Sequence, residues 1–155
     1  LLIEAMAQTP DSTRLTIAGE FWEGEARAMK RIEDLGLSDR IELRPRYHTN
    51  QETAELFARS DFVVLPYRSA TGSGVVPMAY HYNKPVIATR VGGLPDAVED
   101  DKTGKLVKPD DVDALADAIN SVTRSDAATM IPAIRDMKRN LTWASLAAAL
   151  LYGRQ

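Results

Sequence analysis

The chain has 155 residues, of which 45% are hydrophobic and 26% charged, with a formal net charge of −3, two histidines and no cysteine. These values predict one globular domain, residues 1–155, and exclude disulfides, thiolate chemistry and a cysteine-based zinc site. They also argue against nucleic acid as a partner, because no basic tract is present, and against a transmembrane segment, because no apolar run approaches about 18 residues. With no recognisable signal peptide in the sequence, we expect a cytoplasmic location.

Helical and strand patterns alternate from the first residue onward. The chain opens with LLIEAMA, which has helical spacing but neither a strand nor an N-cap before it. Short apolar, β-branched runs follow, separated by stretches of helical spacing, and they predict strands at residues 15–18, 41–43, 62–65, 86–89 and 106–107. Runs such as FVVL and VIAT are apolar on both faces, as in a parallel sheet that helices cover on both sides. The pattern therefore predicts a Rossmann-like, doubly wound α/β domain.

The opening helix bears on how this sheet is completed. A doubly wound domain normally begins with a strand, and the first strand of a Rossmann-type sheet lies at its centre. Here that place is between the strands at 15–18 and 62–65. We therefore expect either that the first strand is not among the 155 residues or that the sheet closes differently.

Helix-start signals support three of the helices. Thr49 and Glu52 have the spacing of a capping box, and Asp110 or Asp111 can cap the helix that begins at Val112. A last helix is predicted from Thr142 onward. The apolar stripes of these helices are typical of core packing, so we assign them to the scaffold.

The loop after the third strand, ATGSGV at residues 70–75, is the strongest functional signal. It places two glycines and two hydroxyl groups between a buried strand and an apolar helix. Small residues at such a point let an anion approach unpaired backbone N–H groups, so the loop is a candidate phosphate site. An ordinary strand-to-helix loop is the alternative, because Gly and Ser are common in such loops.

Other motifs in the sequence are weaker evidence of function. The chain has neither a G-x-G-x-x-G after the first strand nor a G-x-x-x-x-G-K-[ST]. The run DKTG at residues 101–104 resembles the aspartyl-phosphate motif of P-type ATPases, but Lys105 stands where that family has Thr, so we predict a charged turn closed by Gly104. His48 and His81 have no acid or nucleophile at a recognisable spacing, and we interpret both as structural or surface residues.

Taken in order, the blocks LTIAGE, DFVVLP, SATGSG, KPVIAT and VGGLPD resemble the carboxy-terminal, donor-binding half of a family 4 retaining glycosyltransferase of the GT-B architecture. The resemblance covers essentially the whole chain, and the loop is similar to an SATxSG-type variant. It implies a transferase that moves a glycosyl group from a nucleoside-diphosphate sugar to an acceptor, without a metal or other cofactor. It also implies a separate amino-terminal acceptor domain, so that the 155 residues alone would be inactive, and a cytoplasmic enzyme or one peripheral to the membrane.

The resemblance also assigns site residues. The donor diphosphate would lie on Thr71, Gly72, Ser73, Gly74 and Val75. There, N–H donors and hydroxyl groups would meet the negative charge that builds on the leaving diphosphate.

A second group of residues would surround the rest of the donor. The nucleobase and ribose would lie beside Arg46, Tyr47 and Met78, and Gly19 and Glu20 begin another loop at the same edge. The resemblance assigns no catalytic residue and no metal ligand within this chain.

Two departures from the family pattern leave alternatives open. The positions of two glutamates typical of the family fall on Ala70 and Met78, and neither side chain can accept a hydrogen bond as a carboxylate does. A GT-B-derived module that binds or assembles without catalysis is therefore the alternative function. A sugar-nucleotide epimerase domain is a further alternative, although the block VGGLP at residues 91–95 matches the transferases better.

Overall fold

The computed structural model describes residues 1–21 and 24–140. The predicted helix from Thr142 lies outside the described residues. Along the described chain the elements are α1 (Leu2–Met6), β1 (Leu15–Ala18), α2 (Glu25–Asp34), β2 (Ile41–Arg44), α3 (Asn50–Arg59), β3 (Val63–Leu65), α4 (Val75–His81), β4 (Val86–Thr89), α5 (Leu94–Ala97), β5 (Gly104–Val107), α6 (Val112–Ser121) and α7 (Arg124–Asn140). All five predicted strands are confirmed, with ends that differ by at most two residues.

Two predicted helix caps are present. Glu52 N donates to Thr49 Oγ1 at 3.3 Å, and Thr49 N donates to Glu52 Oε2 at 2.9 Å, which completes the capping box of α3. Ala114 N donates to Asp111 Oδ1 at 3.0 Å, so Asp111 caps α6. Asp110 instead adopts a φ of 55° and lies 2.8 Å from Arg68 Nε.

The strands are all parallel, as predicted, but their hydrogen bonds divide them into two sheets. β1 pairs with β2, and β3, β4 and β5 form a second sheet in that order. Within residues 1–21 and 24–140, no strand pairs with the second edge of β1 or with the second edge of β3. The doubly wound architecture is thus confirmed, while the two halves of its sheet are not joined by hydrogen bonds.

Helices cover both faces of the sheet. α1 packs against α2 and α6, and α4 packs against α7. The buried strand β4 contacts both layers, because Val86 and Ala88 belong to a core cluster with Tyr80 of α4 and Ile87 belongs to a cluster with Leu115 of α6. Alternate residues of one strand therefore anchor two layers of helix, as the run VIAT, which is apolar on both faces, predicts.

A buried hydrogen-bond network holds the end of α4 against the start of β5. Tyr80 Oη lies 2.8 Å from Thr103 Oγ1 and 2.9 Å from Ala97 O, and Glu99 N donates to Thr103 Oγ1 at 2.9 Å. Burial raises the pKa of the Tyr80 hydroxyl. The charged turn predicted at 101–104 is present, with Asp101 N donating to Gly104 O at 2.8 Å.

Candidate functional site

The predicted diphosphate loop follows β3 and is anchored from below by β4. Thr89, the fully buried last residue of β4, donates from Oγ1 to Tyr67 O at 2.6 Å. Tyr67 Oη lies 3.3 Å from Ser73 Oγ, and Val75 N donates to Ser73 Oγ at 3.2 Å. The two ends of the loop are therefore tied to each other and to the buried sheet.

The middle of this loop presents its backbone to open space. In the described part of the chain, the backbone N–H groups of Thr71, Gly72, Ser73 and Gly74 donate to no other group. A Cβ built on Gly72 or on Gly74 would meet no atom within 4 Å. Because α4 is only seven residues long, these unpaired amides, rather than a long helix dipole, are what the loop offers to an anion.

A cleft of about 480 Å³ runs between β1 and β3 along the length of both strands and extends past their carboxyl ends to Gly19, Glu20, Tyr67 and Val75. Its walls include all six of the predicted site residues outside the loop's centre, namely Gly19, Glu20, Arg46, Tyr47, Val75 and Met78. The structure thus brings the predicted nucleobase residues together, whereas the residues from Thr71 to Gly74 do not line the cleft. Among the described residues of the cleft wall, Glu20 supplies the one carboxylate.

An ion pair between Arg46 and Glu52 holds the Arg46 side chain in place on this wall. Arg46 Nη2 lies 2.5 Å from Glu52 Oε1 and Arg46 Nη1 lies 3.1 Å from Glu52 Oε2, a two-point contact with the carboxylate that also caps α3. Hydrogen bonding from Arg46 and from Thr49 N lowers the pKa of Glu52 to about 2. The next side chain, Tyr47, is 70% exposed and leaves an aromatic surface open at the cleft.

We predict that the Glu52 carboxyl stays ionised down to about pH 2. Its pKa in the folded chain is below the unfolded value, so its stabilising contribution is complete above the unfolded pKa and is lost as the pH falls through about 2. A carboxyl-resolved NMR titration measures this midpoint. Arg46→Met should raise the midpoint toward the ordinary glutamate range, and an ordinary midpoint in the unaltered chain would contradict the prediction.

The sequence predicts His48 to be a structural or surface residue, and the structure places it on the cleft wall. Its Nε2 is buried and has no hydrogen-bond partner within the described residues. His48 directly precedes the N-cap of α3, and the side chain at that position often packs inward. Its place in the sequence could therefore have indicated that the ring is partly buried.

The two departures from the family pattern can now be located. Met78 lies on the cleft wall with 43% of its surface exposed, and Ala70 lies in the loop. The cleft wall therefore has an apolar thioether at the position that the resemblance predicts beside the ribose. In residues 1–21 and 24–140, no group of three or more His, Asp or Glu side chains is placed to hold a metal, and no helix there is long and apolar enough to cross a bilayer.

Comparison with protein families matches residues 1–125 to the family described as glycosyl transferases group 1. The D-inositol 3-phosphate glycosyltransferase of Mycobacteroides abscessus is 33% identical over 159 aligned positions, which cover 99% of this chain and 36% of that protein. The chain therefore spans about a third of the length of this relative.

Solved structures with a similar fold include longer chains, of which this chain covers less than half. Sucrose-phosphate synthase from Thermosynechococcus elongatus has a TM-score of 0.82 at 27% identity, over 97% of this chain and 40% of that one. The protein HepE from Anabaena, in complex with UDP, has a TM-score of 0.73 at 23% identity, over 95% of this chain and 44% of that one.

Proposed function

Since this chain belongs to the group 1 glycosyl transferases, we propose that it is the donor-binding domain of a retaining, family 4 GT-B enzyme and that residues 71–75 seat the diphosphate of a nucleotide sugar. One observation carries the proposal. Four consecutive backbone N–H groups in this loop are unpaired within the described chain, and Tyr67 and Val75, on either side of them in sequence, line a cleft with an exposed aromatic side chain. The UDP complex of the similarly folded HepE supports the same class of ligand.

The loop has the chemistry that glycosyl transfer needs at the leaving group. When the bond between the sugar's anomeric carbon and the diphosphate oxygen breaks, the electron pair leaves with the diphosphate. Fixed N–H donors stabilise that growing charge more than they stabilise the ground state, so they lower the barrier. The Thr71 and Ser73 hydroxyls lie in the same loop and add donors. We propose that the transfer proceeds without a metal ion.

The unpaired edges of β1 and β3 support the proposal that this chain is part of a larger enzyme. Leu15 N donates toward β2 at 2.9 Å, so the backbone groups of Thr16 point to the opposite, unpaired edge. In the same way Val63 N donates toward β4 at 2.9 Å, and Val64 points to the gap between β1 and β3. We propose that a parallel strand from polypeptide outside the 155 residues pairs with both edges, and that a further, amino-terminal domain of the same enzyme binds the acceptor. The 155 residues alone are then expected to be inactive.

Titration calorimetry of the full-length enzyme with UDP, GDP and ADP tests the donor site. We expect one of the three to bind with a dissociation constant on the order of 1 µM to 1 mM, the usual range for enzyme substrates, and to bind equally well in EDTA. Absence of heat with all three, together with absence of glycosyl transfer, would overturn the proposal.

One observation favours a second candidate. Ala70 and Met78 remove the two carboxylates typical of the family, which fits a GT-B-derived module that binds a nucleotide sugar without transferring it. Product analysis separates the candidates. Binding without transfer supports the module, and a nucleotide sugar with an inverted sugar centre supports an epimerase.

A further inference from the structure

The turn at residues 91–94, between β4 and α5, lies directly against the underside of the predicted diphosphate loop. Gly93 N donates to Thr71 O at 3.2 Å. A Cβ on Gly92 would lie 1.5 Å from Ala70 O, and a Cβ on Gly93 would lie 2.7 Å from Thr71 O. Both glycines are therefore adjacent to carbonyl groups of the loop, at distances that no side chain allows.

This contact sets the direction of two peptide units. In a trans peptide the C=O and the following N–H point to opposite sides. Because the Ala70 and Thr71 carbonyls face the turn, the N–H groups of Thr71 and Gly72 face away from it. A Cβ on Gly72 would meet no atom of the described chain within 4 Å, so there is space around this part of the loop.

The turn is held more firmly than the loop above it. Val91 N donates to Thr89 O at 2.9 Å, Leu94 N donates to Val91 O at 3.1 Å, and both Thr89 and Leu94 are fully buried. The middle of the loop, by contrast, is open to solvent. A side chain at Gly92 or Gly93 should therefore displace the loop and rotate its peptide units.

We propose that Gly92 and Gly93 are positioning residues, which form a template that holds the N–H groups of Thr71 and Gly72 toward the donor diphosphate. This inference rests on the proposed function of the loop. It gives the glycine pair a role in orienting the N–H groups that donate to phosphate, in addition to its role in the turn between β4 and α5.

The test compares Gly92→Ala and Gly93→Ala with Gly36→Ala in the full-length enzyme. Gly36 is the matched control, because its φ of 66° also disfavours a side chain while a Cβ there meets no atom. We expect both template variants to bind the preferred nucleoside diphosphate at least about tenfold more weakly and to bind its free nucleoside unchanged, since only the diphosphate contacts the reoriented amides. Gly36→Ala should leave both affinities unchanged.

A second measurement does not depend on ligand. The NMR amide resonances of Thr71 and Gly72 should move in Gly92→Ala and Gly93→Ala and stay in place in Gly36→Ala. Unmoved resonances, or an equal loss of nucleoside and diphosphate affinity, would overturn the template. If the unaltered enzyme binds no nucleoside diphosphate, the proposed function fails while the resonances still decide whether the template exists. The Cβ of Gly93→Ala overlaps the loop less than that of Gly92→Ala, so Gly93→Ala is the variant to test if Gly92→Ala does not fold.

Discussion

Gly104→Ala is expected to lower the free energy of unfolding by about 3 kcal/mol or more, the upper range for overpacking in a buried site. A Cβ at this position would lie 1.8 Å from Val86 O, 2.8 Å from Val86 C and 2.9 Å from Val86 N. These are backbone atoms of β4, directly opposite Gly104 in the parallel register. Because every residue of β4 is buried between two layers of helix, that strand cannot move aside at low cost.

Thermal and urea denaturation of the chain measure this loss, which corresponds to a fall of about 10 °C in the melting temperature for a chain of this size. Gly72→Ala is the matched control, because the same methyl group there meets no atom within 4 Å. We expect its stability to stay within about 0.5 kcal/mol of the unaltered chain, as for ordinary surface changes. Equal stabilities for the two variants would contradict the close approach of β4 and β5.

Gly72→Val should weaken binding of the preferred nucleoside diphosphate by at least about tenfold, because it fills space that the donor phosphates need. The Gly72 backbone is not among those with positive φ, so a branched side chain is compatible with its conformation. Within the described residues, a Cβ at this position would meet no atom closer than 4 Å. The substitution should therefore obstruct the ligand without disturbing the fold.

Calorimetry on the full-length enzyme measures the affinity of each variant, and a melting curve shows whether its fold is disturbed. Gly72→Ala should fall between the unaltered enzyme and Gly72→Val in affinity, since it fills less of the same space. Unchanged affinity in Gly72→Val would show that the diphosphate does not approach the loop at this position, and the donor site would have to lie elsewhere.

The sequence predicts an element of this fold well where its residue pattern is compatible with only one type of structure. The run VIAT is apolar on both faces and becomes the fully buried β4, and the spacing of Thr49 and Glu52 becomes a complete capping box. Helix α7 is harder to foresee, because Pro132 lies in its interior and proline is normally a sign that a helix ends.

The candidate site was predictable in outline only. Strand order places the loops after β3 and β4 side by side, so a contact between them follows from topology. That Gly92 lies against the Ala70 carbonyl depends on backbone positions at the scale of one bond, which no residue pattern specifies. The unpaired Nε2 of His48 is equally a matter of side-chain placement.

The divided sheet also has a consequence for how the chain folds. β1 and β2 are joined through α2 alone, and β3, β4 and β5 through α4 and α5, so each hydrogen-bonded unit is built from contacts that are local in sequence. Contacts between distant segments, such as those of α1 with α6, must close long loops and carry a larger entropic cost. We therefore expect the contacts within each half of the sheet to form before the packing of α1 on α6, which links the two halves.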